Sequence, residues 1–198
     1  GKAAYHIIKL LEGEVKAVTP VAITTTVPHL TEEEIAHRKS HIDKLYMSSS
    51  PANNNWLYKQ YLSSRGLPHV VASPDLRIGR RVFRRGDNGD KLLSNAMLGV
   101  MRNGQGEMVS IHRIYLDEQG RGITGESRKM LMPPACQRGD LLGSAIRLAD
   151  PCIINGRKVL ALTEGIETAL AVVAAFHLPV WSCYSTELLK TVEIPSDV

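Results

Sequence analysis

The chain has 198 residues, of which 43% are hydrophobic and 22% charged, ordinary values for a globular protein with a real core and room for one large domain or two small ones. No apolar run approaches the length of a membrane span, no secretory leader opens the chain, and three scattered cysteines, Cys136, Cys152 and Cys183, form neither a zinc ribbon nor a disulfide framework, so a reducing cytoplasm fits. The net charge of +4 is uneven. Residues 65–147 carry 14 Lys/Arg against 8 Asp/Glu, whereas residues 148–198 carry 3 against 6. Most of the basic surplus is arginine, the side chain suited to bidentate grip on phosphate. A basic middle beside an acidic C-terminal part suits a polyanion led toward a metal-binding acidic site, and suits equally a solvated basic surface.

In chain order, Ala3 to Leu11 reads as a short apolar helix. Val15 to Pro28, rich in Val and Thr with two prolines, reads as an extended linker or an edge strand. Thr31 opens a helix, with Glu34 completing a capping box and Ile35, Ile42 and Leu45 marking the buried face. His37 and His41 are spaced for a metal, but their neighbours are Arg38 and Lys39, and a solvated face is the better reading. Ser48 to Asn55 is a polar loop. Trp56 to Ser64 is a second helix, stopped by Gly66 and Pro68. Its Trp56 and Tyr61 are suited to stacking on bases, although buried packing is the simpler role.

From Leu76 the text changes to strands and turns. Arg80 to Arg85 alternates loosely, Asp87-Asn88-Gly89-Asp90 is a turn, and Ala96 to Arg102 is a strand. Asn103-Gly104 signals a hairpin to Glu107–Leu116, with Met108, Ser110, His112 and Ile114 on one face and Val109, Ile111, Arg113 and Tyr115 on the other. Asp117 to Gly122 is a turn, and Ser127–Met132 and Ala145–Leu148 are short strands. Ile153 to Val159 is a hairpin. The run Val159 to Leu162 is then β-prone and ends in Thr163-Glu164-Gly165. An apolar helix, Ile166 to Phe176, and a further strand, Val180 to Tyr184, complete a βαβ pattern. Parallel sheets carry their chemistry at the carboxyl ends of the strands, which is where Glu164 falls, with Gly165 freeing the backbone to turn. A helix cap or solvated loop residue is the plain alternative for Glu164.

The sequence Glu164-Gly-Ile-Glu-Thr-Ala-Leu170 after an apolar strand resembles the first motif of the Toprim domain, shared by bacterial-type primases, topoisomerases and some nucleases. The wording is similar to Toprim primases of plasmids and phages. Tyr61-Leu62-Ser63-Ser64-Arg65-Gly66-Leu67, the strand around His112-Arg113-Ile114-Tyr115-Leu116-Asp117, and Arg128-Lys129-Met130-Leu131 resemble further pieces of such primases in the same order, over roughly two thirds of the chain. The resemblance implies an α+β protein: an N-terminal helical region over 1–66, a basic antiparallel β-rich unit over 67–150, and the start of a Toprim unit over 151–198. It implies template-directed synthesis of RNA primers on single-stranded DNA from ribonucleoside triphosphates, with a replicative helicase as a further partner.

In the same resemblance Glu164 is the catalytic carboxylate and a ligand of Mg²⁺, or of Mn²⁺ in its place, while Arg113, Arg128 and Lys129 contact template, nucleotide or triphosphate. Each of the three has a surface ion pair as its plain alternative. Glu167 reads as a favourable charge at a helix N-terminus. The Asp-x-Asp motif expected of a Toprim domain is absent, and Asp197 does not replace it. The zinc ribbon that precedes many such primases is absent too, so zinc belongs to a missing upstream domain, and Gly1 to Gly13 resembles the helical stretch that follows it. The chain begins without methionine and stops where the sheet needs its next strand, so the expectation is a piece of a longer primase, inactive alone. Strand cleavage by the same site, or a non-catalytic DNA-binding module in which Glu164 is structural, are the competing readings.

Overall fold

The computed structural model of the protein describes residues 29–67 and 70–198. The expected helix over Ala3–Leu11, the Val15–Pro28 stretch and Pro68 lie outside the described residues. Within them the protein is α+β, with an antiparallel five-stranded sheet and a smaller mixed sheet sharing one core. No helix among the described residues is long and apolar enough to cross a membrane.

Helix α1 (Glu32–Ser48) starts where its capping box places it: the Thr31 hydroxyl accepts from the Glu34 amide at 3.1 Å, and the Glu34 carboxylate accepts from the Thr31 amide at 2.8 Å. Strand β1 (Ser50–Pro51) follows, then helix α2 (Trp56–Ser64), capped by the Asn55 side chain. The end of α2 is a Schellman turn. Gly66 takes φ of 71°, its amide bonds to Ser63, and the Leu67 amide bonds back to Leu62 at 2.8 Å. Leu57, Tyr58, Tyr61 and Leu62 are buried, whereas Trp56 is half exposed, so Trp56 and Tyr61 do not form a stacking pair.

Strands β2 (Leu76–Arg85), β3 (Lys91–Arg102), β4 (Met108–Leu116) and β5 (Lys129–Leu131) complete the first sheet in the order β1-β2-β3-β4-β5. The register of β2 slips between Gly79 and Val82, leaving Arg80 and Arg81 as a bulge with Arg81 at φ of 52°. The β3–β4 turn forms as expected, but its left-handed residue is Gly106, and the Asn103 side chain accepts from the Glu107 amide at 2.8 Å. A second slip pairs Arg102 with Met108 and Met101 with Ser110. Val109 is therefore an extra residue, which corrects the expected faces. Ser110, His112 and Ile114 share a face as read, but Met108 packs with Ile111 and Tyr115 toward α1, and Val109 joins the opposite core.

The second sheet has the order β6-β10-β9, from β6 (Ile146–Arg147), β9 (Ala161–Thr163) and β10 (Val180–Ser182). Strands β9 and β10 are parallel and joined by helix α4 (Ile166–Phe176), the expected βαβ unit. Strand β6 runs antiparallel to β10, so this sheet begins at Ile146, inside the stretch read as part of the basic β-rich unit. The run Val159 to Leu162 is divided at Leu160. Its first residue ends the hairpin β7 (Cys152–Ile154) and β8 (Arg157–Val159), and β9 starts at Ala161. The hairpin tip is Asn155-Gly156, with both residues at positive φ, 51° and 76°, the two-residue turn this dipeptide favours. A short helix, α3 (Arg138–Leu141), precedes β6, and α5 (Thr186–Thr191) follows β10.

The two sheets meet along β3. A bridge pairs Arg102 with Ala145, and Arg102 holds the buried Asp75 carboxylate at 2.9 Å. Burial pushes the Asp75 carboxyl above its ordinary range against the pull of Arg102 and Arg147. Arg147 lies over the Trp181 ring at 4.7 Å and donates to the Asn103 carbonyl at 2.7 Å. Gly99 marks the closest approach. A Cβ there would sit 2.6 Å from Ile166 Cδ1 and 2.8 Å from Ile146 Cδ1. Gly99→Val is therefore expected to cost about 1–3 kcal/mol through overpacking, read as a lower urea midpoint at unchanged slope.

Candidate functional site

The carboxyl ends of β9 and β10 open on one rim, and the chain there is fixed by its own backbone. The Cys183 amide bonds to the Thr163 carbonyl at 2.8 Å, the Ser182 hydroxyl donates to the Glu164 carbonyl at 3.2 Å, and the Thr163 hydroxyl donates to the Gly165 carbonyl at 3.1 Å. Glu164 leaves the strand with its side chain exposed, and its carboxylate makes no hydrogen bond or ion pair among the described residues. Gly165 caps α4 in extended backbone at φ of −111°, and a Cβ there would make only an ordinary contact, 3.9 Å from Glu167 Oε2. The expected need for glycine at this turn is thus not met by the backbone, which any residue adopts.

One turn into α4, Glu167 points inward and gathers partners from distant parts of the chain. The Tyr61 hydroxyl donates to Glu167 Oε1 at 2.7 Å, Lys129 Nζ lies 2.5 Å from the same oxygen, and Arg65 Nη2 lies at 3.6 Å. The Glu167 side chain is only 20% exposed. Burial pushes its carboxyl up, but the hydrogen bonds from Lys129 and Tyr61 outweigh that and hold it below the usual carboxylate range. The sequence suggests for Glu167 a simple helix-end charge; the structure makes it the centre of a half-buried ionic cluster.

His112 lies beside this cluster. Its ring is 4% exposed, packs edge-on against Tyr184 at 4.8 Å between centroids, and has no partner on Nδ1. Burial drives its pKa down to about 4; the Glu167 charge pulls the other way and the Lys129 and Arg113 charges reinforce the drop. The ring is neutral at physiological pH. Tyr184, two residues past β10, holds φ of 67°, a left-handed conformation costly for a bulky side chain.

The expected residues separate into two groups. Glu164 stands on the rim, Lys129 belongs to the Glu167 cluster, and Arg128 lines an adjoining open groove with Arg65 and Arg121, a groove with no carboxylate in its lining. Arg113 does not join them. It projects to the α1 face of the sheet, opposite to His112, where its guanidinium meets the carbonyls of Phe83 and Leu131 at 3.4 and 3.5 Å. His37 and His41 lie edge to edge at 4.4 Å on the exposed side of α1, and no group of three or more metal-ligating side chains occurs among the described residues. Mg²⁺ is therefore offered one free carboxylate here, Glu164. Glu167, neutralised by Lys129, does not serve as a ligand. Magnesium that keeps several waters and takes phosphate oxygens fits so sparse a set.

Two predictions test the cluster. Glu167→Ala strands Lys129 and the Tyr61 hydroxyl and is expected to cost about 1–3 kcal/mol, discounted for the 35% exposure of Lys129. Because the Glu167 pKa is depressed, that contribution is full above 4.5 and fades as pH falls below it, so urea midpoints of Glu167→Gln and wild type should converge in acid. His112 is also depressed, so the unfolded chain takes up its proton from pH 6.5 while the folded chain waits until about 4. Wild type is expected to lose stability across that window, and His112→Gln to lack that part of the loss in urea titrations at stepped pH.

Over residues 36–148, more than half the chain, the sequence matches the family described as Domain of unknown function (DUF7146). No curated protein matches the chain, and no solved structure does. The matched span contains Tyr61, Arg65, His112 and Lys129, and stops before Glu164 and Glu167. With more than half of its length matched, including α2 and the whole five-stranded sheet, the chain belongs to the DUF7146 family.

Proposed function

We propose that this chain is part of a DNA primase of the Toprim type, making short RNA primers on single-stranded DNA from ribonucleoside triphosphates. One observation carries the reading. Tyr61 and Arg65, His112, Arg128 and Lys129, and Glu164 with Glu167 come from four separate stretches, each resembling a different piece of such primases, and they meet at the carboxyl rim of a parallel strand pair.

The chemistry asks little covalent work of the protein. A 3′ hydroxyl attacks the α-phosphorus, the new O–P bond forms as the bond to the β-phosphate oxygen breaks, and pyrophosphate leaves with the negative charge. Positioning and charge stabilisation carry the step. The groove of Arg65, Arg121 and Arg128 suits the triphosphate, because planar guanidinium groups grip phosphate oxygens in pairs. Magnesium, or manganese in its place, neutralises phosphate charge when bound, and Glu164 is the carboxylate placed to hold it. The Glu167 cluster positions rather than reacts. It fixes Arg65 and Lys129 beside the groove.

The complete gene product, given single-stranded DNA, four ribonucleoside triphosphates and Mg²⁺, is expected to yield short labelled RNA. Glu164→Gln should reduce the yield at least a hundredfold, the scale for losing a charge-stabilising group, with the urea midpoint unchanged because the Glu164 carboxylate has no hydrogen bond or ion pair to lose among the described residues. Cleavage of labelled DNA without nucleotides would instead assign strand scission to the rim. Undiminished synthesis by Glu164→Gln would remove Glu164 from the chemistry.

A further inference from the structure

The β2–β3 hairpin projects beyond the body of the first sheet. On one side β1 pairs with β2 only at Arg77 and Ile78; on the other β4 pairs with β3 only from Asn95 onward. Val82 to Arg85 and Lys91 to Ser94 are thus a two-stranded arm with no third strand at either edge, flanked on its β3 side by the loop over 116–125, where Gly125 lies against Asp87. A bare ribbon of this kind is marginal by itself. This one is anchored at its root, where the Phe83 carbonyl accepts from the Tyr115 hydroxyl at 2.7 Å.

The exposed face of the arm has a definite chemistry. Phe83 pairs directly with Leu93, and the two are 46% and 54% exposed. The next pair on the same face is Arg85 with Lys91, two cations directly opposite each other. Like charges at that spacing are destabilising in a free hairpin. Neither has an ion-pair partner among the described residues, and neither do Arg80 and Arg81 in the adjoining bulge. Asp87 and Asp90 lie at the turn beyond the Arg85–Lys91 pair and form no ion pair with it. Asp117, held by Arg121, and Glu118 border Leu93 on the loop side, so the cationic end of the face is the Arg85–Lys91 pair. An apolar aromatic platform next to a pair of cations unpaired among the described residues is complementary to a ligand that offers a flat base and a phosphate in alternation.

We infer that the β2–β3 arm is a seat for single-stranded nucleic acid, with a base stacked on Phe83 and Leu93 and phosphates held by Arg85 and Lys91. Stacking of this kind accepts any base, so the seat is sequence-tolerant. A single strand fits better than a duplex because an exposed phenyl ring needs an unstacked base to cover it. The alternation of side chains places Leu93, Asn95 and Met97 on the face that also carries Ile114 and His112. Leu93 lies six residues along β3 from Gly99, the partner of His112, or roughly 20 Å at ~3.3 Å per residue. A strand seated on the arm is therefore on the same side of the sheet as the Glu167 cluster. The seat goes beyond the reading of the rim and does not depend on any turnover there.

The test is equilibrium binding of a fluorescein-labelled oligothymidylate of about twenty nucleotides, longer than one such site, followed by anisotropy. Wild type is expected to bind. Phe83→Ala should weaken binding about tenfold, the scale of one stacked base. Arg85→Ala/Lys91→Ala should lower the salt slope by about 1.4, as removal of two single-strand phosphate contacts requires. Both changes are on exposed side chains, and unchanged thermal melting confirms folding; Leu93→Ser provides a second route to the platform. No binding by wild type, or equal binding by wild type and all three variants, overturns the inference. So does a duplex of the same length that binds as tightly and ignores Phe83→Ala. Glu164→Gln is expected to bind like wild type, so that loss of synthesis with binding retained keeps the arm and the rim distinct.

Discussion

The Glu167 carboxylate is the constraint around which the rest is arranged. A charge that is four-fifths buried must be paired, because leaving it bare costs several kcal/mol while a well-made pair roughly breaks even. Its partners come from α2 and from the threshold of β5, so one side chain ties the first helix layer, the edge of the antiparallel sheet and the βαβ unit together. The gain is positional more than energetic. With the first turn of α4 pinned from beneath and the backbone just ahead of it held by Thr163 and Ser182, the Glu164 carboxylate stands on the open rim with no side-chain partner of its own among the described residues.

The junction along β3 answers a different problem. Two sheets with separate hydrogen-bond ladders share one apolar core only if their backbones come close, and Gly99 permits that by having no side chain. Of the polar groups at the margin of this approach, Asp75 and Arg102 pair with each other, while Arg147 donates to the Asn103 carbonyl and lies against Trp181 with its Nε unpaired among the described residues. The antiparallel sheet is thereby a rigid platform with two used faces. One packs on α1, and the other carries the rim and, farther out, the arm.

Local chemistry was legible in the sequence wherever a feature is decided by neighbours a few residues away. The Thr31 capping box, the Gly66 stop, the Asn155-Gly156 turn and the strand–helix–strand pattern around Glu164 all stand where they were read. What escaped is decided at long range. The bond between Tyr61 and Glu167 spans 106 residues, and a glutamate in the first turn of a helix looks the same whether it is solvated or buried. The extra residue at Val109 reverses the inside–outside parity of its strand without altering the alternation of residue types on which parity is judged. Arg113 follows His112 directly in the sequence, and the sheet places the two on opposite faces. Convergence of Arg65, Lys129 and Glu167 had one trace in the sequence, their presence in separate stretches resembling one kind of enzyme.

The β7–β8 hairpin stands apart from these constraints. Its ladder belongs to neither sheet, its tip is solvent-exposed, and the register of β9 that follows is set by pairing with β10. Residues added between Asn155 and Gly156 would lengthen an outlying ribbon without pulling on the strand that carries Glu164. The molecule thus has a built-in attachment point, where a fluorophore or an affinity handle can be spliced into the middle of the chain while the rim and the arm are left free.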